Sequence, residues 1–307
     1  MDSRDKREEK ENIGITGEIA EDLEKKYSRS SLYKDALKRF RKNKLAMLGL
    51  TIVIALILVA LFAPLLALYD PIVRIKADSS LAPSSVHLFG TDILGRDILS
   101  RVIYGSRISI EVGIIAVGIS MIIGLFLGAL SGYFGNVPDV VIMRIADIFF
   151  AFPYILGAIA IMTVLGPGVI NIFIAIGILG WASFARIFRS SILTIKNKEY
   201  IEAARALGAS NYRIITKHIF PNAFAPIIVY ATMNVGTAII VEAALSFLGL
   251  GVQPPTAAWG KMLAESLDYI DIAPWMMVFP GLAIVITVLG FVLLGDGLRD
   301  AFDPKLR

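Results

Sequence analysis

Residues 45–69 read LAMLGLTIVIALILVALFAPLLALY, without a single charge. A helix rises about 1.5 Å per residue, so about 20 apolar residues cross a hydrocarbon core of ~30 Å. This stretch is long enough to span a bilayer. Forty-four residues precede it, and its apolar length exceeds the roughly 7–15 residues of a signal-peptide core. It reads as a transmembrane helix.

Working outward, the same test picks out residues 108–132, 140–165, 169–188, 223–245 and 273–295. Glu242 interrupts the fifth span, and Pro274 and Pro280 the sixth. Proline is tolerated in membrane helices where neighbours re-satisfy the freed backbone groups. Composition agrees: 56% of the 307 residues are hydrophobic and 18% charged, against about 25% charged in soluble domains. The expectation is an all-α, polytopic membrane protein with six transmembrane helices.

Orientation follows from the basic residues. Of the 30 Lys and Arg, 24 lie before the first span, around the loop between spans four and five, in the C-terminal tail or at Arg144. Six lie on the other side. The positive-inside rule puts both termini in the cytoplasm. Residues 70–107, the turn Gly166-Pro167-Gly168 and residues 246–272 become external loops, and residues 190–222 a cytoplasmic one. The net charge of +4 then reflects these loops and implies no nucleic-acid partner. Residues 1–30 are charged and poor in aromatics, which predicts a disordered cytoplasmic tail. In residues 31–44, Leu32, Ala36, Leu37 and Phe40 recur at helical spacing among basic residues. They predict an amphipathic helix at the inner membrane surface, facing the lipid bilayer.

The chain has no cysteine and two histidines, His87 and His218. Disulfides, thiolate zinc sites and cysteine nucleophiles are excluded, and no catalytic, cofactor-binding or metal-ligating set is expected. No G-x-x-x-x-G-K-[ST] phosphate loop occurs. Gly124, Gly128 and Gly132 line one face of span two as a close-packing surface. Arg144 and Asp147, three residues apart in span three, form a candidate intramembrane polar pair. Asn171 and Asn234 are candidate interhelical hydrogen-bond formers.

In the loop between spans four and five, Glu199 to Leu207 consists largely of good helix formers. Gly208 supplies a stop, and Pro221 punctuates entry to span five. This predicts a short rigid helix held off the membrane. Ala203, Ala204 and Gly208 offer a small face, while Glu202 and Arg205 can bond at its rim. Spacing alone leaves an ordinary cytoplasmic linker as the alternative.

Glu202-Ala203-Ala204, with Gly208 six residues and Pro221 nineteen residues after the Glu, resembles the EAA loop of binding-protein-dependent ABC importer permeases. Phe220 stands where that family usually has Leu. The stretch from His87 to Arg101, the stretch Ser246 to Gly260 with Pro254-Pro255, and the tail from Gly295 to Pro304 resemble the C-type permease subunits of dipeptide, oligopeptide and nickel importers. The resemblance covers roughly residues 32–307. It implies a type I ABC importer permease fold with no enzymatic activity of its own. The implied partners are a homologous second permease, forming a heterodimer, two cytoplasmic ABC ATPase subunits and an extracytoplasmic solute-binding protein. Glu202, Ala203, Ala204, Arg205, Gly208 and Pro221 become ATPase-coupling residues. Asp92, Arg96, Asp97, Gln253 and Trp259 become candidate binding-protein contacts. The residues also admit a structural reading: Thr91 and Asp92 capping a helix from near Gly95, and Pro254-Pro255 as a rigid turn. The rival function is an ATPase-independent secondary transporter or channel, which favours several membrane-embedded charges.

Overall fold

The computed structural model describes residues 29–303, with side chains from Asp35 onward. The expected disordered tail lies almost wholly outside the described residues. Helix α1 covers Arg29–Lys42 and α2 Lys44–Leu61. Asn43 separates them and caps α2, its Oδ1 accepting from the Leu45 and Ala46 N–H groups at 3.1 Å. The apolar run of residues 45–69 is not one helix. It stops at Leu61, and Pro64 sits in the first turn of a separate short helix α3, Ala63–Leu66.

Helix α4, Ile98–Phe134, is 37 residues long and starts ten residues before the expected span. Arg101 and Arg107 lower hydropathy there without breaking the helix. The expected third span is two helices, α5 (Asn136–Ala151) and α6 (Tyr154–Leu165), bent by 91°. Pro153 lies at the joint. It cannot donate a helical hydrogen bond, and it holds Phe152 extended with ψ 137°. Helix α7 is Val169–Ile195, α8 Glu199–Ala206, α9 Asn211–Phe247, α10 Trp259–Ser266 and α11 Trp275–Phe302. Among the described residues five helices are long and apolar enough to cross a membrane, or six if the bent pair forms one span.

Close backbone approach holds the bundle together, since lipid offers no hydrophobic gain on helix association. The glycine face of α4 packs against α7. Ser120 donates to the Gly177 carbonyl at 3.0 Å, and Gly124, Gly128 and Gly132 follow beside Trp181, Ala185 and Ile192. The two helices therefore run parallel. A Cβ on Gly128 would meet the Ala185 carbonyl oxygen at 2.7 Å. Gly49 of α2 meets Gly290 and Leu294 of α11 in the same way, and Gly113 of α4 meets Val235 of α9.

A polar seam crosses the α4–α5–α7 contact. Asp139 receives Arg189 through two nitrogens at 2.5 and 2.6 Å, and also the Ser131 hydroxyl. Tyr133 Oη donates to Asn211 Oδ1 at 2.6 Å, which joins the end of α4 to the start of α9. α1, the start of α2 and the end of α11 lie at the same end as α8. There Ala36 and Phe40 pack against Ala46 and Ala301, and Asn43 donates to Asp300 at 3.2 Å.

Candidate functional site

At that end the chain leaves α7 at Ile195, turns through Lys196–Lys198 and enters α8. The helix buries Ile201 completely, beside the Ile214–Ile219 segment. Ala204 lies on the same side and is half-buried, while Glu202, Ala203, Arg205 and Ala206 face outward. The exposed face is thus small and flanked by charge, with Ala204 directed inward rather than into the outer face.

Gly208 ends α8 with φ +80°. Its N–H donates to the Arg205 carbonyl at 3.0 Å, and the Ala209 N–H donates to the Ala204 carbonyl at 3.1 Å. These are the two bonds of a Schellman motif, which needs a left-handed residue at Gly208's position. The motif turns the chain sharply and leaves Leu207 89% exposed. Ser210 then caps the next helix, accepting from the Arg213 N–H at 3.3 Å.

After Asn211–Arg213, helix α9 widens into a π-helical segment, Ile214–Ile219. Pro221 explains it. The proline has no N–H, and its ring would clash with the carbonyl four residues back, so the helix widens and the Phe220 N–H reaches Ile215. Asn222 Nδ2 donates to the His218 carbonyl at 2.6 Å. Phe220 stacks on Phe224 at 5.0 Å and meets Phe188 of α7 edge-on at 5.8 Å. The short helix therefore packs on the start of α9 through Ile201, and aromatic contacts tie that start of α9 to α7.

At the opposite end lies a buried polar network. Asp92 accepts from the Leu94 N–H at 2.8 Å, the Arg96 N–H at 3.0 Å and Arg96 Nε at 2.6 Å. Arg96 also donates to Glu265 of α10 at 2.8 Å, and Arg101 reaches the same carboxylate at 3.5 Å and the Pro71 carbonyl at 3.2 Å. Asp97, not Thr91 or Asp92, caps α4, accepting from the Ser100 N–H at 2.8 Å and facing His87 Nδ1 at 2.9 Å. Trp259 donates to the Val102 carbonyl at 2.9 Å. These charges are paired and hydrogen-bonded, as buried charges must be.

Asp92, Arg96, Asp97 and Trp259 lie inside, each 5% exposed or less; Arg96 and Trp259 join the two external segments, while Asp92 and Asp97 hold the first one in shape. Gln253 alone of the five is exposed, beside a cis peptide at Pro254-Pro255.

At the Arg144–Asp147 pair the structure corrects an expectation. Asp147 bonds Arg186 of α7 at 2.7 Å, and Arg186 lies 4.1 Å over the Phe150 ring. Arg144 is exposed without an ion-pair partner among the described residues. Asn171 of α7 donates to the Leu165 and Gly166 carbonyls at the end of α6 and so bonds to the preceding helix, while Asn234 donates to Tyr230 one turn back on its own helix. Glu242 is fully buried and accepts from Ser246 at 2.8 Å.

Sequence reasoning missed Leu207 and Tyr212, 89% and 78% exposed beside α8. A large apolar residue immediately before a helix-ending glycine was the available signal. It also missed Glu265 and the Asp139–Arg189 pair, whose partners are distant in the chain.

Residues 124–307 match the family described as the binding-protein-dependent transport system inner membrane component, and residues 31–83 match the N-terminal transmembrane domain of oligopeptide transport permease C. The chain is 49% identical to the dipeptide transport system permease protein DppC of Alkalihalophilus pseudofirmus, over 92% of this chain and 93% of that one. It is 48% identical to the oligopeptide transport system permease protein OppC of Bacillus subtilis, over 94% and 95%. It is 50% identical to the glutathione transport system permease protein GsiD of Escherichia coli, over 88% and 89%. Among solved structures, an inward-facing MetNI methionine ABC transporter superposes with a TM-score of 0.55 at 20% identity, over 66% of this chain and 97% of that one. That likeness is one of fold. With helices long enough to cross the membrane, an anchored helix between α7 and α9 and relatives matched over nearly their full length, the chain belongs to the binding-protein-dependent transport system inner membrane components, as a permease subunit of an ABC importer.

Proposed function

We propose that this permease carries di- or oligopeptides, and that α8 with its Gly208 turn is the helix through which separate ATPase subunits drive it. The observation that carries the reading is the geometry of α8: a small, charge-flanked outer face on a helix packed on the start of α9, which is itself tied to α7 through Phe188 and Phe220. The relatives are named as dipeptide, oligopeptide and glutathione permeases, which favours short peptides as the solute. The second half of the pathway comes from a homologous permease, in a heterodimer. A solute-binding protein docks at the end opposite α8, near Gln253. Asp92, Arg96, Asp97 and Trp259 act there indirectly, by holding the loops in shape. The distribution of basic residues supports cytoplasmic termini and a cytoplasmic α8.

In this mechanism ATP-driven closure of the ATPases displaces α8. The Schellman turn and the Phe188–Phe220–Phe224 contacts pass that displacement to α7 and α9. The contact at α8 must differ in free energy between the inward-open and outward-open states, because equal affinity for both shifts nothing. Leu207 and Tyr212 are apolar anchors for the ATPase cleft, and Glu202, Ala203 and Arg205 bond around them. Pro221 sets the widened joint above.

Affinity purification of the tagged chain from its own membranes, with mass spectrometry, tests this. The expected result is co-purification of a second permease and phosphate-loop ATPases, and ATP-dependent uptake of a labelled dipeptide by the reconstituted complex. Uptake that persists with no ATPase present would favour the secondary-transporter reading instead.

A further inference from the structure

The N-terminal helix carries charges that the chain itself does not use. Ala36 and Phe40 of α1 are buried against Ala46 and Ala301, and Arg39 donates to the Asp303 carbonyl at 3.1 Å. That face is therefore fixed. Lys38, Arg41 and Lys42 project from the remainder of the helix, exposed. With Leu37, 52% exposed, they line an open cleft of about 330 Å³. Their spacing of i, i+3 and i+4 puts the three cations within about one turn. None of them has an ion-pair partner among the described residues.

The cleft also lies close to the start of the first apolar span. Leu45 and Leu48, at the start of α2, are 61% and 50% exposed and follow Lys42 by three and six residues. Phospholipid phosphates line the boundary of the apolar phase that such a span enters. Three like charges held together gain from an anion there, and Leu37 gives the first methylenes of an acyl chain an apolar contact. A basic cluster flanked by apolar residues at a membrane boundary is the arrangement that attracts anionic lipid.

We propose that Lys38, Arg41 and Lys42 form a headgroup site for an anionic phospholipid of the inner leaflet. The leaflet rests on the cytoplasmic orientation proposed above; the site itself does not. A bound lipid braces α1 against α11, and so supports the end of the bundle that carries α8.

Native mass spectrometry of the intact complex in mild detergent, supplied with dioleoyl phosphatidylglycerol or dioleoyl phosphatidylcholine, tests the site. This chain is expected to retain phosphatidylglycerol preferentially. Each Lys or Arg replaced by Gln should lower that preference about fivefold, and the triple variant on the order of 100-fold. Arg41→Lys should retain it, and millimolar inorganic phosphate should not displace the lipid. Three results would overturn the proposal: no preference in the unaltered chain, a preference that survives the triple replacement, or displacement by inorganic phosphate. Loss of a protein subunit from the triple variant, with lipid retention unchanged, would assign the face to that subunit. Because lipid retention is read on this chain, absence of co-purifying ATPases would count against the transport reading alone.

Discussion

Replacing Gly208 isolates the turn that ends α8. Gly208 has φ +80°, and a Cβ built there meets no atom within 4 Å. Steric exclusion within the chain therefore contributes nothing, and the whole effect of Gly208→Ala is conformational. Holding a non-glycine residue in the left-handed region costs about 1–2 kcal/mol, a factor of about 5–30 in the ratio of closed to open turn. Helix α8 has little reserve to absorb this. It is eight residues long, and isolated helices of that length are marginal in water. Ile201 is the side chain it buries completely. Dipeptide uptake should fall by up to that factor of about 5–30, with the amount of protein in the membrane and basal ATP hydrolysis unchanged. Gly208→Asn should stay close to the unaltered protein, because Asn tolerates the left-handed conformation. Gly208→Val should be worse than Ala. The assay is initial-rate uptake by proteoliposomes at matched protein content. If Ala transports normally, or if Asn is as damaging as Val, the left-handed turn is not what matters at this position.

Truncating Ile201 to Ala should detach α8, at about 2–5 kcal/mol for a fully buried side chain. Hydrogen exchange should then speed up over Glu199–Ala206 while α4 and α7 stay protected. Gly128→Leu should lower the melting temperature of the detergent-solubilised protein, or prevent its accumulation, because the side chain would enter the Ala185 backbone; an unchanged melting temperature would contradict parallel α4–α7 packing. Arg189→Met should cost roughly 1.5–3 kcal/mol, the range for hydrogen bonds to charged groups. Arg186→Gln should cost less than about 0.5 kcal/mol, since the Arg186–Asp147 pair is about half exposed on both sides. Thermal unfolding of the two variants side by side checks the contrast.

The apolar runs were legible because hydropathy and length decide membrane spans almost regardless of tertiary context. Their ends were not. Helix α4 continues through Arg101 and Arg107 because partners in other segments, Glu265 and the Ala60 carbonyl, receive them, and no local rule shows those partners. The bend in the third span did have a local signal, Pro153, which rules out helical hydrogen bonding at its nitrogen.

The α8 site was readable where local backbone chemistry sets it. A run of helix formers, Gly208 and Pro221 each impose a conformation on their own stretch of chain. Which side of α8 is covered depended on Ile201 finding the Ile214–Ile219 segment, and that is a tertiary fact. The Arg144–Asp147 pairing failed for the same reason: spacing allows a contact on one helix, while a better placed guanidinium, Arg186, comes from another. The buried loop network joins residues up to 169 positions apart, beyond the reach of any spacing rule.

The chain contains no cysteine, so Ala203→Cys places a single photo-crosslinker on the outer face of α8, with Thr256→Cys at the opposite end as its counterpart. In the assembled complex, the account predicts that the probe at position 203 captures a nucleotide-hydrolysing subunit with a yield that changes between ATP and ADP, while the probe at position 256 never does. Capture of that subunit from position 256, or of lipid alone from position 203, would contradict the role assigned to α8.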